Sequence, residues 1–152
     1  MRQRIFFDVF KKYNKESKVL KKRSLKSFLC YQMPAIFMAA IIFTLSSFSK
    51  LPHTILTFQW QDKFAHAFVY SLLSYLIARA LFFQYRFPAW QKNYLWLAIL
   101  LAILYGVSDE IHQYFVPGRS SEFYDIVADA VGACFGVLAF RFRAHLKRIL
   151  PV

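Results

Sequence analysis

Four stretches of the chain are long, apolar and poor in charged residues. They cover residues 28–48, 64–83, 94–115 and 126–142. Each comes close to the ~20 residues that an α-helix needs to cross about 30 Å of hydrocarbon. None alternates apolar and polar positions with the period of two that is typical of membrane-spanning strands. The pattern therefore predicts an all-α protein, an integral membrane four-helix bundle.

The composition supports a membrane protein and argues against the main alternatives. Hydrophobic residues make up 58% of the 152 positions and aromatic residues 20%, more than a soluble domain of this length can bury. Intrinsic disorder is excluded for the same reason, and a soluble enzyme is not expected. Both cysteines, Cys30 and Cys134, lie in apolar stretches, so the chain carries no disulfide framework.

Basic residues are concentrated towards the two ends of the chain. Ten of the 20 lie in residues 1–27, four in residues 141–152, and two in the connection 84–92. Because Lys and Arg accumulate on the cytoplasmic side of membrane proteins, both termini are predicted to be cytoplasmic. The chain then divides into a basic arm (1–27), a membrane domain (28–142) and a basic tail (143–152).

Two interpretations of the basic arm stay open. Ile5, Phe6, Val9 and Phe10 share one helical face among the lysines, as in an amphipathic helix that lies on an anionic leaflet. The arm could equally be a flexible topology signal. A basic arm alone also fits nucleic-acid binding, but here an apolar span follows it directly. The predicted partner is therefore the lipid bilayer and not nucleic acid, while the oligomeric state is left open.

The acidic residues have a different distribution. Six of the eight lie between positions 62 and 129, and in the four-span arrangement all six fall at, or just inside, the outer surface. They are Asp62, Asp109, Glu110, Glu122, Asp125 and Asp129. An ionisable group at membrane depth costs at least ~2.5 kcal/mol on insertion scales. These groups are therefore expected to pair with nearby cations.

Helical spacing places several of these residues on shared faces. Asp62, His66 and Tyr70 are four residues apart and stack on one face of the second span. Asp125 and Asp129 do the same at the start of the fourth span. The glycines at positions 132 and 136 continue their stripe and would let another helix approach closely. Asp129 is therefore predicted to face the bundle.

The end of the third span combines a polar face with a turn. Asp109, His112 and Gln113 are at positions i, i+3 and i+4, on one side of the helix. The Pro117-Gly118 pair that follows suits the central positions of a type II turn. Such a turn would fold Arg119 back over the helix end.

Three runs of residues resemble the VanZ-like family of small bacterial membrane proteins. The second span opens with D-K-x-x-H-x-x-x-Y, the third closes with D-E-x-H-Q-x-F-x-P-x-R, and the fourth opens with D-x-x-x-D-x-x-G-x-x-x-G. The matching residues are Asp62, Lys63, His66 and Tyr70; Asp109, Glu110, His112, Gln113, Phe115, Pro117 and Arg119; and Asp125, Asp129, Gly132 and Gly136. The resemblance covers roughly residues 36–140 and leaves the basic arm outside.

The resemblance implies a location and a general role. The family takes its name from a protein associated with resistance to the glycopeptide teicoplanin. Membership implies a protein of the bacterial cytoplasmic membrane with an envelope-related role, but it carries over no biochemical activity. The family pattern more usually has Asn at the position of Asp129, so this chain has an acid in place of an amide.

The first functional hypothesis is an outer-leaflet pocket that binds, and in one variant modifies, an envelope lipid or cell-wall precursor. Arg119 and Lys63 would hold a phosphate, and a His oriented by a carboxylate would exchange protons. Hydrolysis or transfer at a phosphate ester would fit, although the sequence has no nucleophile signature. The candidate catalytic residues are His66, His112, Asp62, Asp109 and Glu110, and the candidate ligand-binding residues are Lys63, Tyr70, Gln113, Arg119, Asp125 and Asp129.

Two further hypotheses use the same residues. Histidines and carboxylates are suitable ligands for zinc or a harder divalent cation, but the chain has no H-E-x-x-H run, and no metal or other cofactor is predicted. In the structural hypothesis the polar groups form a hydrogen-bonded network that fixes helix register. The protein would then act without catalysis, by modulating partners or the accessibility of the surface to a drug.

Overall fold

The computed structural model describes residues 25–48, 60–84 and 86–149. The helices in these ranges are α1 (Leu25–Ser46), α2 (Gln61–Phe83), α3 (Pro88–Lys92), α4 (Tyr94–Tyr114) and α5 (Phe123–Ile149). No strand occurs among the described residues, and α1, α2, α4 and α5 are each long and apolar enough to cross a membrane. The all-α four-helix prediction is confirmed. Most of the basic arm, with its two interpretations, lies outside the described residues.

The helices extend beyond the predicted spans at their polar ends. α2 begins at Gln61 and α5 at Phe123, ahead of the predicted starts at 64 and 126. The first turns of α2 and α5 contain Asp62 and Asp125, and a carboxylate is stabilised by the partial positive charge of a helix N-terminus. α5 also continues through residue 149, so most of the predicted basic tail is helical.

α1 is the least buried of the four long helices. Its first part contains a π-helical turn, Phe28–Gln32, closed by the Met33 N–H bonding to Phe28 O. The turn directly precedes Pro34, which has no N–H to continue the α-helical pattern. Single π turns of this kind relieve such a mismatch. α1 packs mainly on α2 and has only a small contact with α4.

The centre of the bundle is the α2–α5 interface, the most extensive helix pair in the described part of the chain. A side chain at Gly132 would overlap the carbonyl of Ala67, and one at Gly136 would overlap the carbonyl of Ser71. Ser74 Oγ also donates a hydrogen bond to a backbone oxygen of α5, at 2.9 Å. The predicted close approach at the glycine pair is confirmed.

The bundle has two chemically different ends. We call the end where α2 and α5 begin and α4 finishes the acidic end, since all six acids from position 62 onwards lie there. The opposite end, the basic end, holds an apolar core formed by Ala78, Leu81, Ala98, Val137 and Phe140. Which end faces the cytoplasm stays a prediction from the charge distribution.

Candidate functional site

The acidic end is assembled by contacts between the end of α4 and the start of α5. Glu110, near the end of α4, accepts a hydrogen bond through Oε2 from the backbone N–H of Glu122 at 2.9 Å. This N–H lies just before α5, where backbone donors have no partner within the helix. The contact therefore fixes the start of α5 beside the end of α4.

A tight turn follows α4 and positions Arg119. The Arg119 N–H donates to Val116 O at 3.1 Å, and Gly118 has a φ of 82°. Pro before a glycine with positive φ is typical of a type II turn. The predicted turn is confirmed, and it brings Arg119 onto the wall of a cavity.

Lys63 and His66 of α2 pair with acids at or just before the start of α5. Lys63 Nζ lies 2.7 Å from Asp125 Oδ1 and also contacts Glu122. One turn deeper, His66 Nδ1 lies 3.0 Å from Asp129 Oδ1. Because the side chains of Asp125 and Asp129 are 3% and 1% exposed, these pairs are largely shielded from water and would be weakened little by salt. The predicted pairing of acids with nearby cations is confirmed for these residues.

A cavity of about 150 Å³ lies at the acidic end, next to these pairs. Its polar wall brings together six of the predicted site residues: Asp62, His66, Tyr70, Asp109, Gln113 and Arg119. Its remaining wall is Ile42, Leu45 and Ser46 of α1 with Ala65 and Val69 of α2. Asp62, His66 and Tyr70 therefore share one face of α2, as their spacing predicted, and this face lines the cavity.

Some polar atoms at this end have no hydrogen-bond partner in the described part of the chain. On the cavity wall these are Tyr70 Oη and Arg119 Nε, both buried. Asp109, by contrast, accepts a hydrogen bond from Gln113 Nε2 at 3.0 Å. Asp129 Oδ2 is also unpartnered, and a side chain at Gly106 would come within 2.6 Å of it. Gly106 thus leaves room for the Asp129 carboxylate.

His112 lies apart from the cavity. Its Nε2 is 3.0 Å from Ser47 Oγ, and its ring stacks on Phe43 with centroids 4.6 Å apart, so it faces α1. Because a helix turns about 100° per residue, His112 and Gln113 point to opposite sides of Asp109 when the helix is viewed along its axis. The shared face predicted for the three residues is thus divided, with His112 outside the cavity.

One group of side chains has the spacing of metal ligands. Ligand atoms of Asp62, His66 and Asp125 lie within 4.8 Å of one another. His66 Nδ1 is held by Asp129, which would leave Nε2 for a metal, but Asp125 is already paired with Lys63. The prediction that no metal or other cofactor is bound stays a prediction.

Two further residues take part in the site, Glu122 and Ser46. Glu122 was counted among the acids but not among the candidates, although it contacts Lys63. Its position three residues before Asp125, at the same helix start, was the available signal. Ser46 is buried at the cavity wall and bonds to Phe43 O at 3.0 Å. No pattern within α1 distinguishes it from an ordinary helix end.

Comparisons with known proteins give a family but no relative. A family model described as VanZ/LLP1 matches residues 5–144, which is most of the chain and extends beyond residues 36–140 into the basic arm. No curated protein matches the chain. No solved structure matches it.

Proposed function

The chain belongs to the VanZ/LLP1 family, and from this premise we propose that it is a bacterial cytoplasmic membrane protein that binds an envelope lipid or cell-wall-related ligand. The binding site is the cavity at the acidic end, which faces the outer leaflet. An acidic group of the ligand, a phosphate or a carboxylate, contacts Arg119. The resulting role is envelope-related, of the kind that the family's association with glycopeptide resistance implies.

The observation that carries the proposal is the unpaired guanidinium of Arg119. Arg119 makes no ion pair with any described acid, and its Nε is buried without a hydrogen-bond partner. The buried Nε–H of Arg119 and the nearby Tyr70 hydroxyl both cost free energy when they have no hydrogen-bond partner. A bound phosphate or carboxylate would accept from both, and a guanidinium binds such groups through two parallel hydrogen bonds.

Lys63 has a different role in this proposal. Its ammonium group already contacts Glu122 and Asp125, so a ligand would have to compete with two carboxylates. The ion pair therefore favours Lys63 as an organiser of the acidic end. Among the described residues of the acidic end, Arg119 is the cation left for the ligand.

The size and position of the cavity favour a ligand with an apolar part. A volume of about 150 Å³ holds roughly five water molecules, which is enough for a headgroup fragment but not for a whole lipid. Ile42 and Leu45 form its side towards α1, the most loosely packed helix. A lipid-linked ligand could then place its polar group inside and leave its chain among the bilayer lipids.

His66 is the group best placed for proton exchange with such a ligand. It lines the cavity, and Asp129 orients its ring through Nδ1, an arrangement suited to general acid–base catalysis. Asp62 and Asp109 line the same cavity, whereas His112 and Glu110 face other elements. If the protein modifies its ligand, hydrolysis or transfer at a phosphate ester through His66 is the reaction class that we propose.

The alternative function is non-enzymatic modulation of partners or of drug accessibility, with the polar groups serving only to pack helices. The ion pairs between α2 and α5 favour this alternative, since they join two helices directly. It predicts that every polar residue of the acidic end matters for stability. The ligand hypothesis predicts that Arg119 does not.

The test compares Arg119→Ala with wild type in detergent. Lipid retention is measured by native mass spectrometry after addition of a bacterial envelope lipid extract or of a short-chain phosphatidic acid. We expect Arg119→Ala to weaken binding at least about tenfold, the usual effect of losing a charge-assisted hydrogen bond, with unchanged thermal unfolding. Arg141→Ala, on an exposed arginine of the basic end, is the control. Unchanged binding would contradict the proposal, and a parallel loss of stability would favour the structural alternative.

A further inference from the structure

A second cavity lies at the basic end, away from the cavity around Arg119. It has a volume of about 390 Å³. Arg79 of α2 and Arg143 of α5 line it from two different helices, and its walls are mainly the aromatic rings of Tyr31, Tyr75, Phe83 and Phe140. Two guanidinium groups therefore converge on one aromatic cavity.

No acid among the described residues balances these two charges. All the described ion pairs lie at the acidic end. In the whole sequence only Asp8 and Glu16 precede Asp62, against ten basic residues in the same arm. Arg79 instead contacts Tyr31, with its guanidinium carbon 5.1 Å from the ring centroid. A cation over an aromatic face keeps its N–H groups available for an anion.

The position along the helices matches the headgroup region of a bilayer. Arg79 lies one turn before the end of α2 at Phe83, or about 6 Å along the axis. Arg143 lies in the last third of α5. Tyrosines and arginines at this depth are typical of the membrane interface, and basic pockets between transmembrane helices bind anionic headgroups.

We propose that Arg79 and Arg143 clamp the phosphate of an anionic phospholipid in the cavity between α1, α2 and α5 at the basic end. The two guanidinium groups supply charge-assisted hydrogen bonds to the phosphate oxygens. The aromatic walls and the exposed apolar helix faces beside them accommodate the start of the acyl chains. A free phosphate offers the same oxygens but has no apolar part, so the lipid is the better fit. This site is independent of the cavity around Arg119.

The chain offers a matched pair of variants for the test. Arg143 and Arg141 are two residues apart on α5, but Arg141 lines a different cavity, with Phe142 and His145. Purified protein in a neutral detergent is titrated with short-chain phosphatidylglycerol at 150 mM salt, a value chosen for the experiment because the Debye length is then about 8 Å. Bound lipid is counted by native mass spectrometry. We expect Arg143→Gln to weaken binding about tenfold or more, and Arg141→Gln by less than about threefold.

Further variants and ligands identify the anion and the site. Arg79→Gln should weaken phosphatidylglycerol binding like Arg143→Gln, and Arg79→Lys, which keeps the charge, should weaken it less. In Arg119→Ala one phosphatidylglycerol should still bind, and it should be lost when Arg143→Gln is added, so the two sites succeed or fail separately. Phosphatidylcholine should bind more weakly than phosphatidylglycerol.

Three results would overturn the proposal. The first is an equal loss in Arg141→Gln and Arg143→Gln, which would indicate unspecific attraction. The second is equal binding of phosphatidylcholine. The third is inorganic phosphate that binds through Arg79 and Arg143 while phosphatidylglycerol does not, which would assign the cavity to a free anion.

Discussion

At the basic end of the bundle α2, α4 and α5 meet through apolar side chains, whereas at the acidic end the same three helices meet through ion pairs and hydrogen bonds. Phe140 illustrates the first type of contact, since its ring centroid lies 5.5 Å from that of Tyr75 and 5.7 Å from that of Phe82. Buried Asp129, paired with His66, illustrates the second. A buried ion pair is often no more stabilising than well-packed apolar residues. The acidic end therefore has more polar groups than helix packing requires, which favours a ligand site there.

The middle of the α2–α5 interface supports both ends, and its disruption should have the largest effect. Gly136→Leu would drive a side chain into the Ser71 carbonyl, and overpacking against backbone is expected to cost about 3 kcal/mol or more. The measurement is the free energy of unfolding in detergent micelles. Ala139→Leu, an exposed position on the same helix, should change it by less than about 0.5 kcal/mol. Equal values for the two variants would show that the glycine contact does not hold the ends together.

Variants of Asp129 test whether its pairing with His66 at the acidic end requires the charge of the carboxylate or only a hydrogen bond. Asp129→Leu leaves His66 without its partner, and breaking a buried pair costs about 3–5 kcal/mol. Asp129→Asn keeps an acceptor and nearly the same size, so we expect a loss of no more than about 1 kcal/mol. The free energy of unfolding of both variants is measured in the same detergent. If Asn were as damaging as Leu, the carboxylate charge itself would be required.

Contacts at the edge of the acidic end should matter least. His112 contacts Ser47, at the end of α1 and outside the cavity, and Ser47 is exposed. Ser47→Ala is therefore expected to change the free energy of unfolding by less than about 0.5 kcal/mol and to leave lipid binding unchanged. Lipid binding by Arg119→Ala, measured in the same experiment, is the reference. A loss as large as that of Arg119→Ala would mean that the functional site extends to Ser47 and His112.

Most of the fold followed from the sequence because its causes are local. Length and hydropathy predicted the four long helices, and the glycine pair and the Pro117-Gly118 turn were recognised from their own residues. α2 and α5 begin a few residues before the predicted apolar stretches, because their first turns are polar. Acids in those turns, such as Asp62, stabilise the helix ends through the partial positive charge of the helix N-terminus.

The candidate site was predicted less completely, because it depends on how helices are rotated against one another. Spacing assigned Asp109, His112 and Gln113 to one side of α4. It could not show that His112 contacts the end of α1 while Gln113 lines the cavity. The partnership of Lys63 with Glu122 likewise joins residues that are distant in sequence. No pattern within one helix encodes which neighbour it meets.

The central claim is that the chain crosses the membrane four times with the acidic end, and its cavity, facing outwards. Labelling with a membrane-impermeant maleimide tests it most directly, in a background where Cys30 and Cys134 are replaced by Ser. Ser120→Cys lies next to Arg119 at the acidic end, and Lys92→Cys lies at the basic end. In intact cells we predict that Ser120→Cys is labelled and that Lys92→Cys is labelled only after the membrane is permeabilised. Labelling of Lys92→Cys in intact cells, or protection of Ser120→Cys, would contradict the account.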